Sequence, residues 1–309
     1  MDQTIATKYK SIITDLPLLF RQALVRLIHN DPLRMAGATA FFTSFALPFI
    51  LILLTLFLSL LIDPLQLRRE LFGDLVSMFG RESVQQVVDT LIAFRQLANT
   101  VFITILGFVF LLLVATTLLM VVKGSINQIW RIKVDEGRSF VKRLGTRLKS
   151  VLIILATGVL VMISILAEAA KARMGLRISE LSPTIAFYFT NAVTYLLSLV
   201  FVTLWFGIIF RLLPDGRPTW KVAFTGAFVT AILFNIGKII LRLLLTHSNL
   251  NSLYGTSASV VLILLFVFYS SLIMYFGAAF TCAWADYVHQ PIKLLPYATR
   301  YKVMEVKKR

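Results

Sequence analysis

Residues 256–283 read TSASVVLILLFVFYSSLIMYFGAAFTCA, a run without a single Asp, Glu, Lys or Arg. A helix needs about 20 consecutive apolar residues to cross the roughly 30 Å hydrocarbon core of a bilayer. This stretch exceeds that length, and strands in globular domains seldom do. Outward from it, charge-free windows recur at 35–62, 96–122, 150–167, 181–210 and 222–237, followed by a separate long stretch at 243–285 that contains the opening run. The 222–237 window is too short to cross alone and must continue through Lys238. A polar turn, His247-Ser248-Asn249-Leu250-Asn251-Ser252, then separates it from the final run. The pattern predicts an all-α membrane protein with six transmembrane helices, at about 35–62, 98–122, 150–168, 185–210, 222–245 and 256–283.

Composition supports the same solvent. Of 309 residues, 58% are apolar and 15% charged, with a mean hydropathy of +0.83. Soluble domains average about 45–50% apolar and about 25% charged residues. This much apolar surface cannot be hidden in one aqueous core, which excludes an ordinary cytosolic enzyme. The single cysteine, Cys282, leaves no intrachain disulfide and no thiolate cluster. The N-terminus is polar and mixed in charge, so no cleavable signal peptide is expected.

The formal charge is +16, and its distribution gives an orientation. Lys and Arg number five before span one, eight in 123–149, three in 211–221 and six after residue 285. On the opposite side there are four in 63–99, three in 168–184 and none in 246–255. Basic residues concentrate on cytoplasmic loops, so both termini are expected in the cytoplasm of a bacterial inner membrane. Three regions result: a cytoplasmic amphipathic segment 1–34, a transmembrane domain 35–285 with a helical extracytoplasmic segment 63–97, and a basic cytoplasmic tail 286–309. Within the first, Ile12, Ile13, Leu16, Leu19, Phe20, Ala23, Leu24, Leu27 and Ile28 have helical spacing with Arg21 and Arg26 between them. Such a helix suits the membrane interface.

No cluster of His, Cys, Asp or Glu has the spacing of a catalytic or metal site, and the three histidines are scattered. HExxH, the P-loop, GxGxxG and GxSxG are all missing from the sequence. The expectation is no enzyme, no catalytic residue, no metal and no cofactor. The polar residues that stand out are Asn235, Lys238 and Arg242, at i, i+3 and i+7 on one face of span five. Ionisable groups at membrane depth usually face the protein interior or a wet cavity, so these form a candidate binding lining for an anionic substrate, with Glu168 as a candidate counter-charge. Snorkelling of the two long side chains to the interface is the competing reading. Pro48 lies midway along span one and predicts a kink.

Several dispersed pieces carry a family resemblance. They are Ala38-Thr39-Ala40-Phe41-Phe42 with Ser44 and Pro48; Asn127-Gln128-Ile129-Trp130; Arg138-Ser139-Phe140; Arg211-Leu212-Leu213-Pro214 with Trp220 and Gly226; Tyr254-Gly255; and Gly277-Ala278. Their order and spacing resemble the YihY/BrkB family of bacterial inner-membrane proteins over roughly residues 30–290. The chain departs from the family pattern at Ala258, Phe266 and Ala279, where a Gly, a Trp and a Glu are common. The resemblance implies a structural role for Pro48, Asn127, Trp130, Arg211, Pro214, Tyr254, Gly255 and Gly277. It also implies envelope maintenance, with lipid or glycolipid export suggested for some members. An older family label, ribonuclease BN, finds no nuclease site in this sequence.

The resulting expectation is transport or translocation of an anionic amphiphile, with membrane lipids, anionic ones above all, as partners. The alternative is a non-transporting scaffold that binds an envelope protein or a second copy of itself. Nucleic acid is not an expected partner.

Overall fold

The computed structural model describes residues 2–59, 101–134, 140–246 and 258–302, together with Gln85. Among the described residues there are seven long helices: α1 (Asp2–Ile28), α2 (Pro32–Ser59), α3 (Val101–Ile129), α4 (Phe140–Leu181), α5 (Pro183–Leu212), α6 (Trp220–Thr246) and α7 (Ala258–Tyr287). Among the described residues, four stretches are long and apolar enough to cross a membrane: Leu155–Ser179, Thr184–Leu212, Trp220–Leu241 and Val261–Tyr287. The chain is a multi-pass α-helical membrane protein. The first two apolar windows of the sequence fall on α2 and α3, of 28 and 29 residues. The expected helical segment 63–97 (apart from Gln85), the turn at 247–252, and Tyr254 and Gly255 lie outside the described residues.

The third window differs most from its expected limits. In place of a short span at 150–168, α4 runs for 42 residues, about 63 Å at 1.5 Å per residue. Its apolar stretch continues past Glu168, Lys171 and Arg173 to Ser179. Straight-chain charged residues have good helix propensity, so charge ends an apolar window without ending a helix. Chain reversal is left to Ser182-Pro183. Ser182 is the N-cap of α5, accepting from the Ile185 amide, and Pro183 takes the first turn, where its missing N–H costs nothing.

Helix α7 is the hub, packing against α1, α2, α3 and α6. Tyr275, Ala278, Ala279, Phe280 and Thr281 are fully buried there, in keeping with a helix that is apolar all round. From α7 the packing continues through α6 to α5 and α4 on one side, and through α2 to α3 on the other. The α6–α7 crossing is close because two glycines face two threonines. A Cβ on Gly226 would lie 2.9 Å from the Thr281 Cβ, and one on Gly277 would lie 2.9 Å from the Thr230 Cβ. Each threonine hydroxyl donates back to the glycine carbonyl of its own helix, at 2.7 Å for Thr230 and 2.8 Å for Thr281, so neither of these two hydroxyls is left unsatisfied by the close approach.

Helix α1 lies against α7. Leu19, Ala23 and Leu27 are buried, Phe20 meets Phe276 and Phe280, Arg26 pairs with Asp286 at 3.0 Å, and the Tyr287 hydroxyl donates to Asp15 at 2.8 Å. Its outer face keeps Leu18, Leu24, Val25 and Ile28 exposed.

Two small antiparallel sheets gather at one end of the bundle. There, β1 (Ile132–Val134) pairs with β4 (Ala298–Arg300), and β2 (Gly216–Arg217) pairs with β3 (Lys293–Leu294). The segment after α7 therefore folds back across the loops following α3 and α5.

Candidate functional site

Two polar constellations stand out, one at the sheet-bearing end and one within the apolar length of the bundle. The first centres on Asp215, which follows α5 and has a side chain only 2% exposed. Its carboxylate accepts from Lys123 Nζ at 2.8 Å and from Asn127 Nδ2 at 2.8 Å. The Asp215 amide donates to Asn127 Oδ1 at 2.9 Å, and its carbonyl accepts from the Leu295 amide at 3.0 Å. One residue thus ties α3, the α5–α6 connection and the segment after α7 together. Lys123 and Asn127 reach it jointly because positions four apart share a helix face. One turn further, the Trp130 indole N–H donates to the Ala278 carbonyl at 2.8 Å, adding α7. Gly216 completes the arrangement, since a Cβ there would stand 2.7 Å from both Ile132 and Ile292.

This clasp collects residues the sequence singled out separately. Asn127, Trp130, buried Pro214 and Gly277-Ala278 meet or adjoin within it. Arg211 lies nearby, with its guanidinium carbon 5.5 Å from the Trp220 ring centroid. Asp215 itself was missed. Pro214-Asp215-Gly216 reads as an ordinary turn, and the only clue was a lone acid in an otherwise basic connection. Pro48 lies within α2, which is helical on both sides of it.

The second constellation lies in the seam between α5 and α6. Asn235 Nδ2 donates to the Ala231 carbonyl at 2.8 Å, and Asn235 Oδ1 accepts from Ser198 Oγ at 3.0 Å. Lys238 Nζ donates to the same Ser198 Oγ at 3.2 Å and lies 5.5 Å from the Phe234 ring centroid. Asn235 and Lys238 are therefore brought together as their spacing predicted, and Ser198 joins them from α5. Nothing in the sequence distinguishes Ser198 from other hydroxyls in the apolar spans. Glu168 belongs elsewhere: it pairs with Lys171 on its own helix, and Lys171 also donates to Thr194 on α5 at 3.0 Å. The Arg242 backbone is helical, and its side chain lies outside the described set. Among the described residues, no group of three or more His, Cys, Asp or Glu is placed to hold a metal ion.

A helical membrane bundle with a buried clasp at one end and a polar seam between two spans defines the class. The family described as virulence factor BrkB matches residues 23–300, and the chain belongs to it. Relatives include a UPF0761 membrane protein of Alteromonas mediterranea, 28% identical over 284 residues that cover 90% of this chain and 92% of that protein. A UPF0761 membrane protein of Psychromonas ingrahamii is 26% identical over 200 residues, covering 62% of each chain. One from Chromohalobacter salexigens is 27% identical over 261 residues, covering 84% of this chain and 61% of the relative. No solved structure matches this chain.

Proposed function

We propose that this is a non-enzymatic protein of the bacterial inner membrane that moves an anionic amphiphile, a lipid or glycolipid, across or within the bilayer. In this reading the chain crosses six times, with α2 and α3 as the first two spans, and the sheet-bearing end with both termini is cytoplasmic. The supporting observation is the Lys238–Ser198–Asn235 array in the α5–α6 seam. A cation held among hydroxyl and amide groups at this depth offers an anionic headgroup charge and hydrogen bonds where lipid offers neither. The flanking surfaces of α5 and α6 expose Tyr195, Leu196, Ile232, Ile236 and Ile239, so acyl chains can stay in lipid beside that headgroup. Arg242, four residues on, adds charge on the same helix face.

The test is redistribution of a labelled anionic lipid in proteoliposomes. Wild-type protein should speed it over empty vesicles, and Lys238→Met should remove most of that acceleration. Wild type equal to empty vesicles, or Lys238→Met equal to wild type, refutes the reading.

A scaffolding role is the second reading, supported by the exposed apolar row Leu18, Leu24, Val25 and Ile28 on α1. It predicts that Leu24→Glu abolishes the cellular phenotype while Lys238→Met leaves it intact.

A further inference from the structure

At the other end of the α5–α6 seam, beside the clasp, two arginines converge where α5 ends and α6 begins. Arg211 sits in the last turn of α5, half-buried, with Nη1 shielded from solvent and offered no acceptor among the described residues. Arg217 Nη1 donates to the Arg211 carbonyl at 2.6 Å, which draws the second guanidinium to the same helix end. Neither guanidinium meets a carboxylate among the described residues; the adjacent acid, Asp215, is taken by Lys123 and Asn127. Trp220, the first residue of α6, is exposed, lies against the Arg211 guanidinium and stacks on Phe224. Lys221 adds an exposed cation to the same turn.

Each feature points to an anion. A buried guanidinium N–H without an acceptor is unfavourable, and a ligand oxygen supplies what the chain withholds. Paired arginines present planar forks suited to phosphate oxygens. An exposed tryptophan at the end of a spanning helix marks headgroup depth. Lys238 lies 17 residues further along α6 than Lys221, about 25 Å at 1.5 Å per residue, so this place is separate from the Lys238 array.

We propose that Arg211 and Arg217, framed by Trp220, bind the phosphate of an anionic phospholipid headgroup at the membrane face where α5 gives way to α6. The site stands whether or not the protein moves lipid, because it is read from retention alone.

The experiment exchanges the full-length protein into neutral detergent with equimolar dioleoylphosphatidylglycerol and dioleoylphosphatidylcholine, then counts retained lipids by native mass spectrometry. Wild type should keep phosphatidylglycerol about tenfold over phosphatidylcholine. Arg211→Gln and the double variant R211Q/R217Q should lose that preference, whereas Lys133→Gln, the same charge loss at an exposed position in β1, should retain it. Should R211Q fail to give a folded protein, R217Q alone, on the half-exposed member, should lose severalfold. Equal retention of the two lipids by wild type overturns the proposal, as does undiminished preference in folded R211Q or R217Q, or an equal loss in K133Q. Inorganic phosphate as competitor separates the two sources of the anion. No displacement supports the lipid headgroup; full displacement at millimolar phosphate assigns the site to a soluble phosphate and overturns the lipid assignment.

Discussion

Replacing Asp215 by Asn keeps the shape of the clasp and removes its negative charge. Lys123, 15% exposed, then stands beside a neutral amide with no compensating carboxylate at 2.8 Å. Breaking a buried pair by removing one partner costs about 3–5 kcal/mol, whereas replacing both partners with neutral groups of similar volume is often close to neutral. Asp215→Asn should therefore destabilise by about 3 kcal/mol, and Lys123→Met should cost a comparable amount through the stranded carboxylate. The double variant K123M/D215N should recover most of the loss, leaving a deficit of about 1 kcal/mol. That non-additivity is the signature of a direct pair. The assay is unfolding of the detergent-purified protein by graded SDS, followed by the near-ultraviolet signal of the tryptophans, Trp130 among them. If the two single losses simply add in the double variant, the pair contributes nothing of its own and the reasoning fails.

Other substitutions probe the remaining contacts. Trp130→Phe removes the indole donor to the Ala278 carbonyl and puts a smaller ring in a fully buried site, so it should cost about 1–3 kcal/mol in the same titration. Gly277→Ala drives a methyl group into Thr230 and should cost about 1–3 kcal/mol by overpacking, with partial relief from the paired change Thr230→Ala, which removes the hydroxyl that the methyl group meets first; no relief would count against the crossing geometry. Arg26→Gln removes a surface pair whose two side chains are 30% and 51% exposed, so it should change stability by less than about 1 kcal/mol. A larger loss would mean that α1 is held to α7 by that pair rather than by the apolar contacts of Leu19, Phe20 and Ala23.

What was legible in advance follows from where the physical information resides. Solvation in hydrocarbon is a local property of each segment, so a run such as 256–283 announces a lipid-spanning helix without reference to any other part of the chain. The amphipathic spacing of 12–28 likewise showed a helix with a face to bury, because polar residues on its other side break the symmetry. Asn235 and Lys238 were recognisable as companions because three residues along a helix is a fixed geometric relation.

The contacts between segments were not legible, for a related reason. When a helix is apolar on every side, as α7 is, periodicity no longer tells which face meets protein and which meets lipid. Both choices look equally greasy, and close packing decides between them. Hence the sequence marked Asn127, Trp130, Pro214 and Gly277-Ala278 as separate pieces, and bringing Asn127 to Asp215 and Trp130 to the Ala278 carbonyl joined positions 88 and 148 residues apart. Glu168 divides the two cases: its partner Lys171 stands three residues on along its own helix, whereas the bond from Lys171 to Thr194 on the next helix came only with packing. Composition and spacing determined that this chain is a bundle of membrane helices carrying cations both in its loops and, at Lys238 and Arg242, within an apolar run. Tertiary structure alone decided which of those cations are neutralised within the protein, because a buried charge is matched by whatever side chain the packing brings within reach.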